Sequence, residues 1–152
     1  MRIYVASPFG FSEAGRVFLE TLERQLSSLG HEILSPWGDP DVLSAFKGGA
    51  SVAQIVELVG SKNARHIASA DCVLACLDGM EPDSGTSSEV GFAAGIGKRV
   101  YGLRTDFRDC GDFPGVPLNV QLLYFIAASG GRLLASLADL STIGALDSAP
   151  AD

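Results

Sequence analysis

The sequence predicts an α/β protein: a doubly wound parallel sheet of about five strands with helices on both faces. Two observations carry this. Short apolar runs alternate with stretches of helical spacing along most of the chain, the pattern of repeated β-α units. The most apolar run, Asp71–Asp78 (DCVLACLD), has no charged residue between its ends, as expected of a strand covered on both faces. The chain has 152 residues, 47% of them hydrophobic, enough for one substantial core. Neither a repeat nor a linker divides it, so residues 1–146 are expected to form one domain and 147–152 a frayed tail.

Taken in order, Arg2–Ala6 (RIYVA) reads as a first strand ending at the turn Ser7-Pro8-Phe9-Gly10. A helix follows over Ser12–Leu29, with Ser12 as its cap and Val17, Leu19, Leu22, Leu26 and Leu29 at helical spacing. Gly30 closes it, His31–Leu34 is a short second strand, and the turn formers of Ser35–Pro40 open a loop. Ala50–Ser69 reads as a helix whose inner side carries Val52, Ile55, Val56, Val59, Ala64, Ile67 and Ala68, with Gly60 a weak point inside it. After the central strand come a helix over Gly85–Gly97, a strand over Arg99–Leu103 and a polar loop over Asp106–Pro117. Asn119–Ala128 and Leu133–Ile143 complete the chain as helices. Right-handed crossovers leave few ways to arrange these elements, a flavodoxin-like or Rossmann-like sheet first among them.

A net charge of −7 argues against a broad nucleic-acid or anionic-membrane surface and leaves a small, weakly charged ligand open. No apolar run approaches the roughly 20 residues of a membrane span. The three cysteines, with no secretory leader, point to a reducing cytoplasm. Cys72 and Cys76 would face the same side of a strand and read as small buried hydrophobes. Zinc spacing is absent and the carboxylates lack His or Cys companions at ligand spacing, so no metal is expected, and no organic cofactor is implied either.

Ligands of such sheets bind beyond the carboxyl ends of the strands. Three loops meet there, Ser7–Phe11, Asp78–Ser88 and Thr105–Pro117, and their acids outnumber their arginines, which disfavours a polyphosphate. No Walker sequence and no G-x-G-x-x-G is present. The sharpest feature is DSGTSSEVGFAAG, where Asp83 and Glu89 flank a turn that enters an apolar helix. Glu89 is open to two readings: a carboxylate that neutralises the helix N-terminus, or a nucleophile paired with Asp83 in a cleft, the arrangement glycosyl transfer needs. Phe9, Phe11 and Trp37 are ordinary packing or a surface for a flat ligand. His31 and His66 read as surface or structural residues. Arg104 and Arg108 bracket Asp106 as local ion pairs or as part of a cover over the site.

IYVASPFGF, ADCVLACLDG, PDSGTSSEVGFAAGIGKRVYGLRTDFR and PLNVQLL, in that order, resemble the nucleoside 2-deoxyribosyltransferase family. The resemblance implies a flavodoxin-like fold and a ping-pong exchange of the base of a 2′-deoxynucleoside for a free purine or pyrimidine. A deoxyribosyl ester on a glutamate is the intermediate. It implies Glu89 as nucleophile, Asp83 as the acid that holds substrate and manages the base's proton, and Tyr4 as the residue orienting Glu89. Asn119 is implied at the sugar 5′-hydroxyl of a neighbouring subunit, so a homo-oligomer with shared sites is expected. Gly85 and Ser88 at the helix mouth, Phe9 and Phe11 at the base, and Asn63 complete the expected binding set. Asn63 is a departure, for the family usually carries an Asp there. An amide keeps the shape but has no titrating proton, so it either orients without ionising or alters base choice, rate or sugar preference. Two other outcomes stay open: hydrolysis of a nucleoside or nucleoside 5′-monophosphate, and binding without turnover.

Overall fold

The computed structural model describes residues 1–144. Five strands form one sheet in the order β2-β1-β3-β4-β5, every neighbouring pair parallel. They are β1 (Arg2–Ala6), β2 (Glu32–Leu34), β3 (Cys72–Cys76), β4 (Arg99–Leu103) and β5 (Leu133–Leu134). The helices are α1 (Glu13–Ser28), α2 (Pro40–Lys47), α3 (Val52–Ser69), α4 (Ser84–Gly95) and α5 (Val120–Ala128). Short 3-10 turns occupy Phe9–Phe11 and Leu137–Thr142.

Because successive side chains of a strand point to opposite faces, the sheet divides the core in two. Ile3, Val5, Cys72, Leu74 and Cys76 meet Leu19, Leu22 and Leu26 of α1. Tyr4, Ala6, Val73 and Ala75 meet Ile67 of α3, Val90 and Ala93 of α4, and Ile126 of α5. This alternation turns Tyr4 towards α3 and α4, away from α1. Cys72 and Cys76 share the α1 side, both buried and unbridged, and burial pushes the Cys72 thiol up to about 11.

Several elements depart from the sequence-based expectations. Leu133–Ile143 is not a helix: it supplies the two-residue β5 and then a 3-10 turn. Its apolar residues are spent on closing the sheet edge, where Leu103 pairs with Leu134. Pro40–Lys47, expected as loop, is a helix capped by Asp39, which accepts from the N–H groups of Asp41 and Val42. In α3 only Ile67 is fully buried; Val52, Val56 and Ala68 are exposed. The strands beside it have five residues, about 17 Å, so this 18-residue helix, about 27 Å long, overruns them, and Gly60 passes without a break. Val17 and Leu29 of the first helical stripe are likewise exposed. The tail expected at Asp147–Asp152 lies outside the described residues.

Candidate active site

The chain after β3 turns at Gly79 and enters α4 at Ser84. Asp83 caps that helix, its Oδ2 accepting from Thr86 N (2.9 Å) and from the Thr86 hydroxyl (3.3 Å). A Cβ on Gly85 would lie 3.0 Å from the same oxygen, so glycine gives the carboxylate room to fold back. Glu89 follows on the second turn of α4, on the side that faces β1 and α3. There its Oε1 accepts two hydrogen bonds, from Tyr4 Oη (2.6 Å) and from Asn63 Nδ2 (3.2 Å). No described residue donates to Oε2.

The electrostatics follow from this packing. Burial pushes the Glu89 carboxyl above the ordinary glutamate range, the donors Tyr4 and Asn63 pull it back, and the charge of Asp83 pushes it up again. Tyr4 is raised far above the ordinary phenol, first by burial and then by the Glu89 carboxylate. Its hydroxyl therefore stays protonated and donating at any working pH.

Glu89, Asp83 and Asn63 line a cavity of about 490 Å³ beyond the carboxyl ends of β1 and β3, together with Ser7, Gly85 and Thr86. Its other wall is apolar: Phe11, Pro36, Trp37, Val42 and Val59. Trp37 is held there by its ring N–H, which donates to the Ser7 carbonyl at 2.8 Å. The indole lies so close on Gly10 that a Cβ at that position would fall 2.0 Å from the ring. The exposed Phe11 stands edge-on to it, with centroids 4.5 Å apart. An aromatic wall facing two carboxylates can hold a flat heterocycle while a carboxylate works on the atom bonded to it.

Not every expected residue is brought here. Phe9 packs edge-on against Phe18 at 5.2 Å, in the core on the α1 side, and does not line the cavity. Its ring follows the alternation of the 3-10 turn, in which Phe11 faces out and Phe9 in. Ser88, whose hydroxyl donates to the Gly85 carbonyl at 2.7 Å, lines two adjoining hollows. One, of about 280 Å³ between α3 and α4, shares Glu89, Asn63 and Gly85 with the main cavity. The other, of about 640 Å³, contains Asn119 and neither Glu89 nor Tyr4. Asn119 caps α5 through its Oδ1 and donates from Nδ2 to Asp112 at 3.4 Å. Within one chain, Asn119 and Glu89 therefore lie on different cavities.

The loop after β4 is stapled rather than draped over the site. Asp78 accepts from Thr105 N, the Thr105 hydroxyl and Asp106 N. Arg108 pairs with Asp106, which holds that carboxyl far below the usual range. Arg104 does not pair with Asp106; it is buried and donates to the carbonyls of Leu77, Gly79 and Arg108. Sequence reasoning put Ser7 in a ligand-facing loop without giving it a role, and missed Pro36, Val42 and Val59 as cavity residues. The place of Ser7, directly after a strand, was a usable signal; Val42 sits on the helix read as loop.

The family description "Nucleoside 2-deoxyribosyltransferase" matches residues 3–121. Among solved structures, a conserved protein from Enterococcus faecalis V583 is similar at a TM-score of 0.70 and 25% identity, covering 93% of this chain and 94% of that one. The 2-deoxyribosyltransferase of Bacillus psychrosaccharolyticus superposes at a TM-score of 0.68 and 21% identity, with 93% and 90% covered. The CMP N-glycosidase BcmB of Clostridium botulinum shares the fold at 0.60 and 16% identity, with 96% and 100% covered. No curated protein matches the chain.

Proposed function

The chain belongs to the nucleoside 2-deoxyribosyltransferase family, and from that premise we propose that it exchanges the base of a 2′-deoxynucleoside through a covalent deoxyribosyl ester on Glu89. The observation that carries this reading is the 2.6 Å hydrogen bond from the buried Tyr4 to Glu89, which itself lines a cavity with an aromatic wall. It supports a carboxylate held in one orientation beside a place for a base.

In the first half-reaction a Glu89 oxygen attacks C1′ while the C1′–N bond breaks, and the bonding pair leaves with the base. The departing nitrogen takes a proton, a task for Asp83, whose carboxyl shares the cavity. In the second, a nitrogen of the incoming base attacks C1′, the ester C–O bond breaks, Glu89 is regenerated and the new base returns its proton to Asp83. A deoxyribosyl centre lacks the electron-withdrawing 2′-hydroxyl and develops positive charge easily, which a neighbouring carboxylate stabilises.

The charge around the cavity favours an uncharged substrate. Its described lining holds Asp83 and Glu89 and no Lys or Arg, which suits a nucleoside better than a nucleoside monophosphate. The placement of Asn119 on a separate cavity supports a site completed by a second subunit, where its amide would reach the 5′-hydroxyl.

Incubation with deoxyinosine and adenine, followed by liquid chromatography, tests the reading. Deoxyadenosine and hypoxanthine are expected, with a fall on the order of 10³ or more in Glu89→Ala. Free deoxyribose without a new nucleoside would make the protein a hydrolase, and tight binding without products would make it a sensor.

A further inference from the structure

Glu89 is gripped through one of its two oxygens. Tyr4 Oη and Asn63 Nδ2 both donate to Oε1, while Oε2 takes no bond from a described residue. We propose that Asn63 is a positioning residue that, with Tyr4, commits Oε1 to the protein and leaves Oε2 as the attacking oxygen. This rests on the proposed transfer at Glu89 and goes beyond it by assigning the two oxygens different work.

The assignment follows from what each oxygen becomes. When Oε2 bonds to C1′ and the base departs with the C1′–N pair, Oε2 turns into an ester oxygen, a poor hydrogen-bond acceptor. Oε1 turns into the ester carbonyl, which still accepts. Donors on Oε1 therefore keep their bonds through both half-reactions, whereas donors on Oε2 would lose them at the covalent step. When the second base breaks the ester C–O bond, the returning electron pair is shared again with the oxygen those donors stabilise.

The amide also does this without a charge. The groups that act on Glu89 are Tyr4 from β1, Asn63 from α3 and Asp83 at the head of α4. Lys62, beside Asn63 in sequence, is taken up by Asp39 and Asp41 instead. Of the three, only Asp83 opposes ionisation of Glu89, and Asn63 favours it. A carboxylate at position 63 would replace a donor by an acceptor at 3.2 Å, and two carboxyls that close share a proton. Asn63 thus lets the nucleophile stay ionised in more acidic solution than an acid at that position would.

The test compares wild type with Asn63→Asp and Asn63→Ala in the full-length assembled protein. The acid limb of kcat/KM for deoxyinosine with adenine should move up by about one pH unit or more in Asn63→Asp and by less in Asn63→Ala. In Asn63→Ala, kcat should fall about tenfold with KM little changed. A structural role alone would lower the amount of folded protein and leave the acid limb in place. In parallel, the Glu89 carboxyl is titrated by carbon NMR on glutamate-labelled protein, its signal assigned by its loss in Glu89→Gln. Upward midpoints in both variants support the hold of Asn63 on Glu89 even if wild type transfers no base, in which case the transfer reading and the attack by Oε2 fall together. Unchanged midpoints in both variants overturn the proposal, whatever the activity.

Discussion

At residue scale, Glu89 is held between burial, which opposes its charge, and two donors that favour it. Burial has raised its carboxyl, so the native protein binds that proton more tightly than the unfolded chain does. The stability contributed by the protonated form is fully present below the ordinary glutamate range and is lost as pH rises through the raised value. Glu89→Gln keeps an acceptor for Tyr4 and Asn63 and removes the buried charge. It should raise Tm by about 2 °C at pH 7 and leave it unchanged near pH 4, read by calorimetry at the two pH values. A Tm lowered at pH 7 would show that the Glu89 carboxylate stabilises the native chain. Much of this residue's placement was legible in the sequence, because DSGTSSEVG carries both carboxylates at the mouth of α4. The bond from Asn63 was not: the two residues are 26 positions apart, and only the packing of α3 against α4 brings them together.

At the scale of elements, strongly periodic segments were read well and short ones poorly. β1, β3 and β4 announce themselves as apolar runs, and α1 as a capped stripe. The two residues of β5 have no period to read, and LLASLADL satisfies a helical pattern as easily. In α2 the eight residues follow a cluster of Pro, Gly and Asp that resembles a loop. Two glycines show how the elements constrain substitution in opposite directions. Gly131 leads into β5, where a Cβ would sit 1.7 Å from the Val100 carbonyl oxygen, a backbone atom that cannot swing away. Gly131→Ala is expected to destabilise by about 1–3 kcal/mol. Gly60 lies mid-helix with nothing within 4 Å of the added Cβ, so Gly60→Ala should stabilise by about 0.5–1 kcal/mol. Urea unfolding of both variants checks the signs, and equal midpoints would contradict the contrast.

At the scale of the whole molecule, the fold sorts its surfaces by use. No described helix is long and apolar enough to cross a membrane, yet Phe46, Val52, Val56 and Tyr124 are exposed on α2, α3 and α5. With Asn119 and Glu89 on separate cavities of one chain, a site shared between subunits makes a definite claim. Glu89→Ala and Asn119→Ala, each inactive or nearly so, should regain about a quarter of wild-type transfer when mixed and allowed to exchange subunits as a dimer. Light scattering during the same experiment reads the mass of the assembly. A single-subunit mass, or mixtures no better than their parents, would return Asn119 to its role as the cap of α5. The alternation of strands and helices made the sheet predictable, but which cavity each loop residue would reach depends on helix placement that no local pattern encodes.

Trp37 is the chain's one tryptophan, and it is pinned in the wall of the cavity that holds Glu89. The protein thus carries its own optical gauge: indole emission comes from that wall and from nowhere else in the chain. Under the proposed reading, a purine or pyrimidine entering beside the ring would alter that light before any bond is made or broken. Occupancy and turnover would then be separable signals, one read by fluorescence and the other by chromatography, with no label added.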